Sequence, residues 1–398
     1  MKVAIINPFG NSSGHSLNYS SKLCQSVAQQ NVELTLFTSS DFDPTLIFEN
    51  KSIKFEIIGT QVKNSTINNK DYKSNISLIK YGANLMFGNL KVLRKFKKIN
   101  RKKKFDVVHI IGGETVISIL FFFFTRRIKS QLILTIHNCD FIPKLYYNIS
   151  KFKHHYKQFI KYILERHYFK RFSKIMVHGE QMKYDLEEQI KFQNKSKIYP
   201  INIGLDVNNK VLNIPRKNNT PRILFFGIIR QDKGLHILLS ALKNMNSNNV
   251  IINIFGKPAE LKEEEIITLV NNTGKKECVN LDLRYFNDDE LDTVFNDTDY
   301  VILPYLKTFK AQSVVLTLAA AYKKTLICSD TGQNGFDVNK YEIGYTFEAE
   351  NVDDLTRLLN KITTEKSPIS SNTKKFDNYI LENSWDKMGE KIYYMYKQ

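Results

Sequence analysis

Short runs that are apolar at nearly every position alternate with stretches of helical spacing along most of this chain. Val3 to Ile6, Val32 to Thr38, Asp106 to Ile111, Leu132 to Ile136 and Ile175 to Val177 read as strands, and Leu17 to Gln30 as a helix. A strand that is apolar throughout, rather than at alternate positions, is covered on both faces, as in a parallel sheet. Strand and helix taking turns defines the α/β class. The stretch Lys191 to Asn219 is polar, rich in Asn and Lys, and broken by Pro200, Gly204 and Pro215. It predicts a domain boundary. The alternation then restarts with strands at Arg222 to Phe226, Val250 to Phe255, Leu281 to Phe286, Tyr300 to Leu303 and Thr325 to Cys328. Helices are expected over Gly234 to Leu242, Glu260 to Asn271, Asp288 to Phe295 and Val314 to Tyr322, with a last one starting near Ser384 and Trp385. A chain of 398 residues suits two such domains.

Ligands of open parallel sheets bind beyond the carboxyl ends of the strands, so the residues after each strand come first. The run Ile223 to Phe226 ends at Gly227, with Arg230, Lys233 and Gly234 following. Two cations in a glycine loop at the start of a helix suit a diphosphate. Taken alone, they also suit an exposed basic turn. The second stretch is Tyr300 to Tyr305, then Ala311, Gln312, Ser313 and Val314 at the head of an Ala-rich helix. The unpaired N–H groups and dipole of that helix start favour an anion. Ordinary capping by Ser313 is the plain alternative. Gly256 ends another strand, and Tyr285 and Phe286 follow the next. In the first half, His137 ends a strand, and Gly10 and Gly14 bound a loop of small residues. His109 lies within a strand and reads as core; His15, in the glycine loop, stays open.

These stretches together resemble the retaining glycosyltransferases of family 4, which have the GT-B fold of two Rossmann-like domains facing across a cleft. The resemblance covers nearly the whole chain. Gly227 to Gly234 resembles that family's donor-phosphate loop, with Arg230 and Lys233 as the diphosphate cations. Leu303, Pro304 and Tyr305, followed by Gln312, Ser313 and Val314, resemble the donor loop of a family variant, and Ser329 to Gly332 the turn after it. Thr135 to Asn138 is similar to the family's Thr-x-His-Asp/Asn segment, and the Phe9 to Gly14 loop to the one facing the donor. The Tyr285 and Phe286 region holds the nucleotide base in the family. The resemblance implies a first, acceptor domain over 1–205, a donor domain over 206–383, and a terminal helix, about 384–398, that crosses back to the first domain. It implies transfer of a hexosyl unit from a nucleoside-diphosphate sugar to a glycan or lipid-linked glycan, with retention. Surface polysaccharide biosynthesis is the usual setting.

The sequence departs from that family in two places. Lys310 and Leu318 stand where many members carry paired glutamates, and Ile228 stands where an arginine is common, with Arg230 in its stead. The lost carboxylates favour one rival reading, a protein that binds nucleotide sugars without transferring them. A nucleotide-sugar epimerase is the other near rival, but it needs proton-moving carboxylates that the second half does not supply.

A net charge of +18 calls for an anionic partner or a solvated surface. Lys91 to Lys104 is dense in Lys and Arg. Tyr146 to Arg171 is basic and aromatic, with Tyr156, Phe159, Tyr162 and Ile163 in one stripe, and is the expected contact with an anionic membrane or lipid diphosphate. A core-facing helix explains the same spacing. No nucleic-acid-binding motif accompanies the charge, so no nucleic-acid partner is expected.

Asp41-Phe42-Asp43 fits the DxD pattern of metal-held sugar nucleotides, a weak signal that we read as structural. No metal or other cofactor is expected. The four cysteines Cys24, Cys139, Cys278 and Cys328 lie far apart, which implies neither disulfides nor zinc and fits a reducing cytoplasm. The first apolar stretch is too short for a signal sequence, and the run Thr115 to Phe124 is too short to span a bilayer. The expectation is a cytoplasmic protein, with peripheral attachment to the inner face of the cytoplasmic membrane as the alternative.

Overall fold

A computed structural model describes residues 1–7, 15–39, 53–58, 90–112, 124–138, 168–190, 197–206, 220–364 and 373–398. Gly10, Gly14, Asp41-Phe42-Asp43, the run from Thr115 as far as residue 123, Cys139 and the stripe of Tyr156, Phe159, Tyr162 and Ile163 lie outside the described residues.

The chain divides into two compact units, Met1–Gly204 with Trp385–Gln398, and Leu205–Ser384. The first holds a seven-stranded sheet in the order β3-β2-β1-β4-β5-β6-β7. These strands are β1 (Lys2–Asn7), β2 (Glu33–Ser39), β3 (Ile53–Ile58), β4 (Val107–Ile111), β5 (Gln131–Ile136), β6 (Lys174–Val177) and β7 (Ile198–Pro200). Every pairing is parallel, as continuous apolar strands require. One core cluster packs Ile6, Phe37, Phe96, Val108, Leu134, Tyr168, Phe172 and Val177. Full burial of such a side chain stabilises the fold by about 2 kcal/mol.

The helix Trp385–Lys397 belongs to this first unit. Gly389 allows it to approach the helix His15–Ala28: a Cβ there would stand 2.4 Å from the Ser26 carbonyl oxygen. Gly204 does the same for the Trp385 ring, whose nearest atom would lie 2.4 Å from an added Cβ.

The second unit holds a six-stranded parallel sheet in the order β10-β9-β8-β11-β12-β13. Its strands are β8 (Arg222–Phe226), β9 (Ile251–Phe255), β10 (Val279–Asp282), β11 (Tyr300–Leu303), β12 (Thr325–Ser329) and β13 (Gly344–Phe347). Strand order reverses between β8 and β11, and the crevice at such a switch point is where doubly wound sheets bind ligands. The helices Leu235–Asn244 and Val314–Ala321 follow β8 and β11, so both start at that reversal.

Some boundaries differ from the sequence reading. The strand expected over Leu281 to Phe286 is Val279–Asp282, so Tyr285 and Phe286 lie three and four residues beyond its end. The helix expected from Glu260 starts at Glu263, because the Glu265 carboxylate caps the Lys262 N–H at 2.6 Å. The helix expected over Asp288 to Phe295 is a 3-10 turn, Asp288–Glu290, running into Leu291–Asn296. Strands β3, β7 and β13 were not expected. All three are sheet edges.

Candidate functional site

The end of β8 is shaped by glycines. Gly227 has φ +99° and Gly256, at the end of β9, has φ +149°. A Cβ on Gly256 would stand 1.8 Å from the Gly227 carbonyl oxygen, so the two turns nest only without side chains. The Gly227 N–H donates to Phe255 at 3.0 Å and the Gly256 N–H to Asp282 at 2.9 Å, extending the ladder past the strands.

Arg230 and Lys233 leave this turn by different routes. Arg230 is pinned by Asp232, which accepts from Nε at 2.9 Å and from Nη2 at 3.1 Å. Burial pulls the guanidinium pKa down, but the hydrogen bonds and charge of Asp232 outweigh it, and the net direction is up. Lys233 is buried, 8% exposed. Its ammonium donates to the Tyr305 hydroxyl at 2.6 Å and sits over that ring, 4.3 Å from the centroid. The Phe309 ring flanks it at 5.4 Å.

The loops after β8 and β11 form one structure. Gly234 has φ +68°, and a Cβ there would stand 1.7 Å from the Pro304 carbonyl oxygen. The Leu306 N–H donates to the Asp232 backbone carbonyl oxygen at 3.0 Å. The Tyr305 and Ser313 hydroxyls share a hydrogen bond at 2.9 Å. Lys233, Tyr305 and Ser313 are thus linked in series. Ser313 is the N-cap residue of Val314–Ala321, yet its side chain makes no cap hydrogen bond. Its own N–H donates to the Asn334 side chain at 2.8 Å. Val314, half-buried, is the first residue of that helix. The methyl of the next residue, Val315, would lie 3.5 Å from a Cβ on Gly227. The helix start therefore adjoins the glycine turn.

The other predicted residues separate. Gln312 is turned inward: its amide nitrogen donates to Asp337 at 3.1 Å, and Gln333 donates to the same buried carboxylate at 2.7 Å. Phe286 is buried against Phe226 and stacks on Phe255 at 5.5 Å, with the Arg284 guanidinium over it at 4.2 Å. Tyr285 is exposed. Lys310 and Leu318 are both half-buried.

In the first unit, His137 follows β5 and is half-buried. Its Nδ1 lies 2.9 Å from Nε2 of His178, a buried histidine directly after β6. The reading of strand ends that found His137 applies equally to His178, which the sequence analysis passed over. His109 is in the core, between the Thr135 and Tyr396 hydroxyls, each at 2.6 Å. Burial, helped by His137, pushes its pKa down to about 3.

Asn334 and Asp337 were also missed. Nothing in their spacing marks them, because their partners lie elsewhere in the chain.

Residues 208–380 match the family model described as Glycosyl transferases group 1. No curated protein sequence matches the chain. Sucrose-phosphate synthase from Thermosynechococcus elongatus is similar in structure, with a TM-score of 0.74 at 15% identity, covering 100% of this chain and 98% of that one. HepE from Anabaena, solved in complex with UDP and glucose, has a TM-score of 0.67 at 13% identity, covering 98% of each chain. A TarM variant from S. aureus, solved with Fondaparinux, alpha-GlcNAc-glycerol and UDP, has a TM-score of 0.64 at 14% identity, covering 100% of each chain. The fold is therefore that of the GT-B glycosyltransferases, two Rossmann-like halves. With the family match over the second half, the likenesses support glycosyl transfer as the class of chemistry.

Proposed function

We propose that this protein transfers a hexosyl unit from a nucleoside-diphosphate sugar to a glycan or lipid-linked glycan acceptor, with retention at the anomeric carbon. The observation that carries the reading is the series Lys233–Tyr305–Ser313, which fixes a cation from the β8 loop beside the helix start after β11. Breaking the bond from the sugar to the diphosphate leaves growing negative charge on the leaving group, while the sugar gains oxocarbenium character. Lys233, Arg230 and the helix N-terminus stabilise that charge more in the transition state than in the ground state, which lowers the barrier. Metal is not required in this scheme. His137, at the strand end, hydrogen-bonds the donor sugar or orients the reacting groups, and the resemblance gives the acceptor proton to the leaving phosphate. UDP and glucose in the HepE complex, and UDP with a glycan in the TarM complex, make UDP-sugars the first donors to test.

The test is incubation with α-linked UDP-sugars and glycan acceptors, with the product's anomeric configuration read by NMR. An α-linked product is expected. A β-linked product removes retention, and no product with any nucleotide sugar removes transfer.

A second reading, binding without transfer, is favoured by Lys310 and Leu318 at the positions of the family's glutamates. It predicts stabilisation by the nucleotide with no product.

Peripheral contact with an anionic membrane, in a cytoplasmic protein that helps build a surface polysaccharide, completes the proposal. The helix over 90–103 exposes Lys91, Arg94, Lys98, Arg101 and Lys102, opposite buried Val92, Leu93 and Phe96. Among the described residues no helix is long and apolar enough to cross a membrane. Flotation that does not depend on anionic lipid removes this part.

A further inference from the structure

We propose that His178 is a positioning residue for His137, holding it as the Nδ1–H tautomer so that its Nε2 atom is a hydrogen-bond acceptor. The proposal rests on the role given to His137 above and adds what that residue recognises: a group that donates an O–H, such as a neutral sugar hydroxyl, rather than an anion.

The argument runs along one chain of hydrogen bonds. Nδ1 of His178 lies 3.2 Å from the Ile201 carbonyl oxygen, which can only accept. That nitrogen therefore carries a proton. The carbonyl is fixed in place, because the Ile201 N–H donates to Val177 at 2.8 Å and continues the β6–β7 ladder. His178 is fully buried, and burial, then His137, push its pKa well below the ordinary histidine value. The ring is neutral, so Nε2 carries a lone pair and accepts. The atom 2.9 Å from it is Nδ1 of His137, which must be the donor. With Nδ1 protonated, a neutral His137 has its acceptor at Nε2.

Aromatic packing supports the same geometry. Tyr19 meets the His137 ring edge-on at 4.8 Å and the His178 ring at 5.4 Å, and is itself backed by Trp385 at 5.8 Å. Of the titratable groups nearby, His109 is committed to Thr135 and Tyr396 and is neutral over the working pH range. The pairing thus sets the tautomer by hydrogen bonding to a backbone carbonyl, in the way an orienting partner fixes a functional histidine.

The test is long-range proton–nitrogen NMR of the full chain labelled with ¹⁵N-histidine, without ligand, near pH 7.5. His137 is identified by the signal that His137→Gln removes. The expected result is the Nδ1–H tautomer for both His137 and His178. An Nε2–H tautomer for His137, or an average of the two, overturns the proposal. In His178→Leu, His137 should move toward the Nε2–H form. In His178→Gln, whose amide supplies a donor and an acceptor, it should return to Nδ1–H. An unchanged tautomer in His178→Leu also overturns the proposal. Hydrolysis of UDP-glucose, read as a turnover probe, should fall by about 10- to 100-fold in His178→Leu through kcat and recover in His178→Gln. If the unaltered protein turns over no nucleotide sugar, the proposed function fails, while the NMR result still decides the tautomer.

Discussion

Lys233 donates a 2.6 Å hydrogen bond to the hydroxyl of Tyr305 while its ammonium lies 4.3 Å from the centroid of the same ring. One side chain thus offers the buried cation both an oxygen and a π face. Both contacts direct the ammonium of Lys233 toward the loop after β11.

Tyr305→Phe separates the two contacts. The ring remains under the ammonium, and the hydrogen bonds to Lys233 and Ser313 are lost. Unfolding free energy should fall by about 1–2 kcal/mol, the usual cost of removing a buried hydroxyl from its partners. Tyr305→Leu removes the cation–π contact as well and should cost more. Denaturant unfolding measures both. Equal losses would mean the hydroxyl carries the whole effect.

Arg230 holds the Asp232 carboxylate through two nitrogens, a fork that an ammonium cannot copy. Arg230→Lys should therefore lose most of what Arg230→Ala loses. Each of Arg230→Ala and Lys233→Ala should raise the barrier by about 2–4 kcal/mol, by analogy with removal of an oxyanion donor. Turnover of nucleotide sugar reads this. Normal turnover in both alanine variants removes the assignment.

Gly234 and Gly274 form a natural comparison, since both have φ +68°. A Cβ on Gly234 meets the Pro304 carbonyl, while one on Gly274 meets nothing within 4 Å. Gly274→Ala should cost only the left-handed backbone strain, about 1 kcal/mol. Gly234→Ala must also push the two loops apart and should cost at least about 3 kcal/mol. Similar melting temperatures for the two variants would show that the loops are not locked.

How much was legible in the sequence follows from where each residue sits. Central strands such as β4, β5, β8 and β11 are covered on both faces, so they are apolar at each position and were found. The misread or unread strands, β3, β7, β10 and β13, are the four sheet edges. Edge strands pair on one side only and carry residues such as Lys54, Glu56, Pro200 and Asn280 that break the apolar run. In the site, Arg230, Lys233 and Gly234 were visible because glycine and cations cluster locally. His178 was not, because it acts through a partner 41 positions away in sequence, and Tyr305 entered only with the donor-loop resemblance, since Lys233 lies 72 positions from it.

The buried histidines give the fold a pH dependence. His109 and His178 have depressed pKa values, so the unfolded chain binds more protons than the folded one below the ordinary histidine pKa of 6.5. Stability is then full above that pH and is lost as pH falls toward about 3, the value for His109. Each histidine contributes a slope of roughly 1 kcal/mol per pH unit in that window. Melting temperature measured from pH 7.5 to pH 4.5 should drop steeply, and less steeply in His109→Gln. An identical slope in that variant would contradict the assignment.

The central claim is that the joined loops after β8 and β11 bind a nucleoside diphosphate through fixed cations. Thermal unfolding of the unaltered protein and of Lys233→Ala, with UDP, GDP, ADP and CMP in the presence of EDTA, tests it most directly. The account predicts that one diphosphate class raises the melting temperature of the unaltered protein by mass action, despite EDTA, and that Lys233→Ala loses most of the shift. No shift with any nucleotide, or an equal shift in Lys233→Ala, would contradict it.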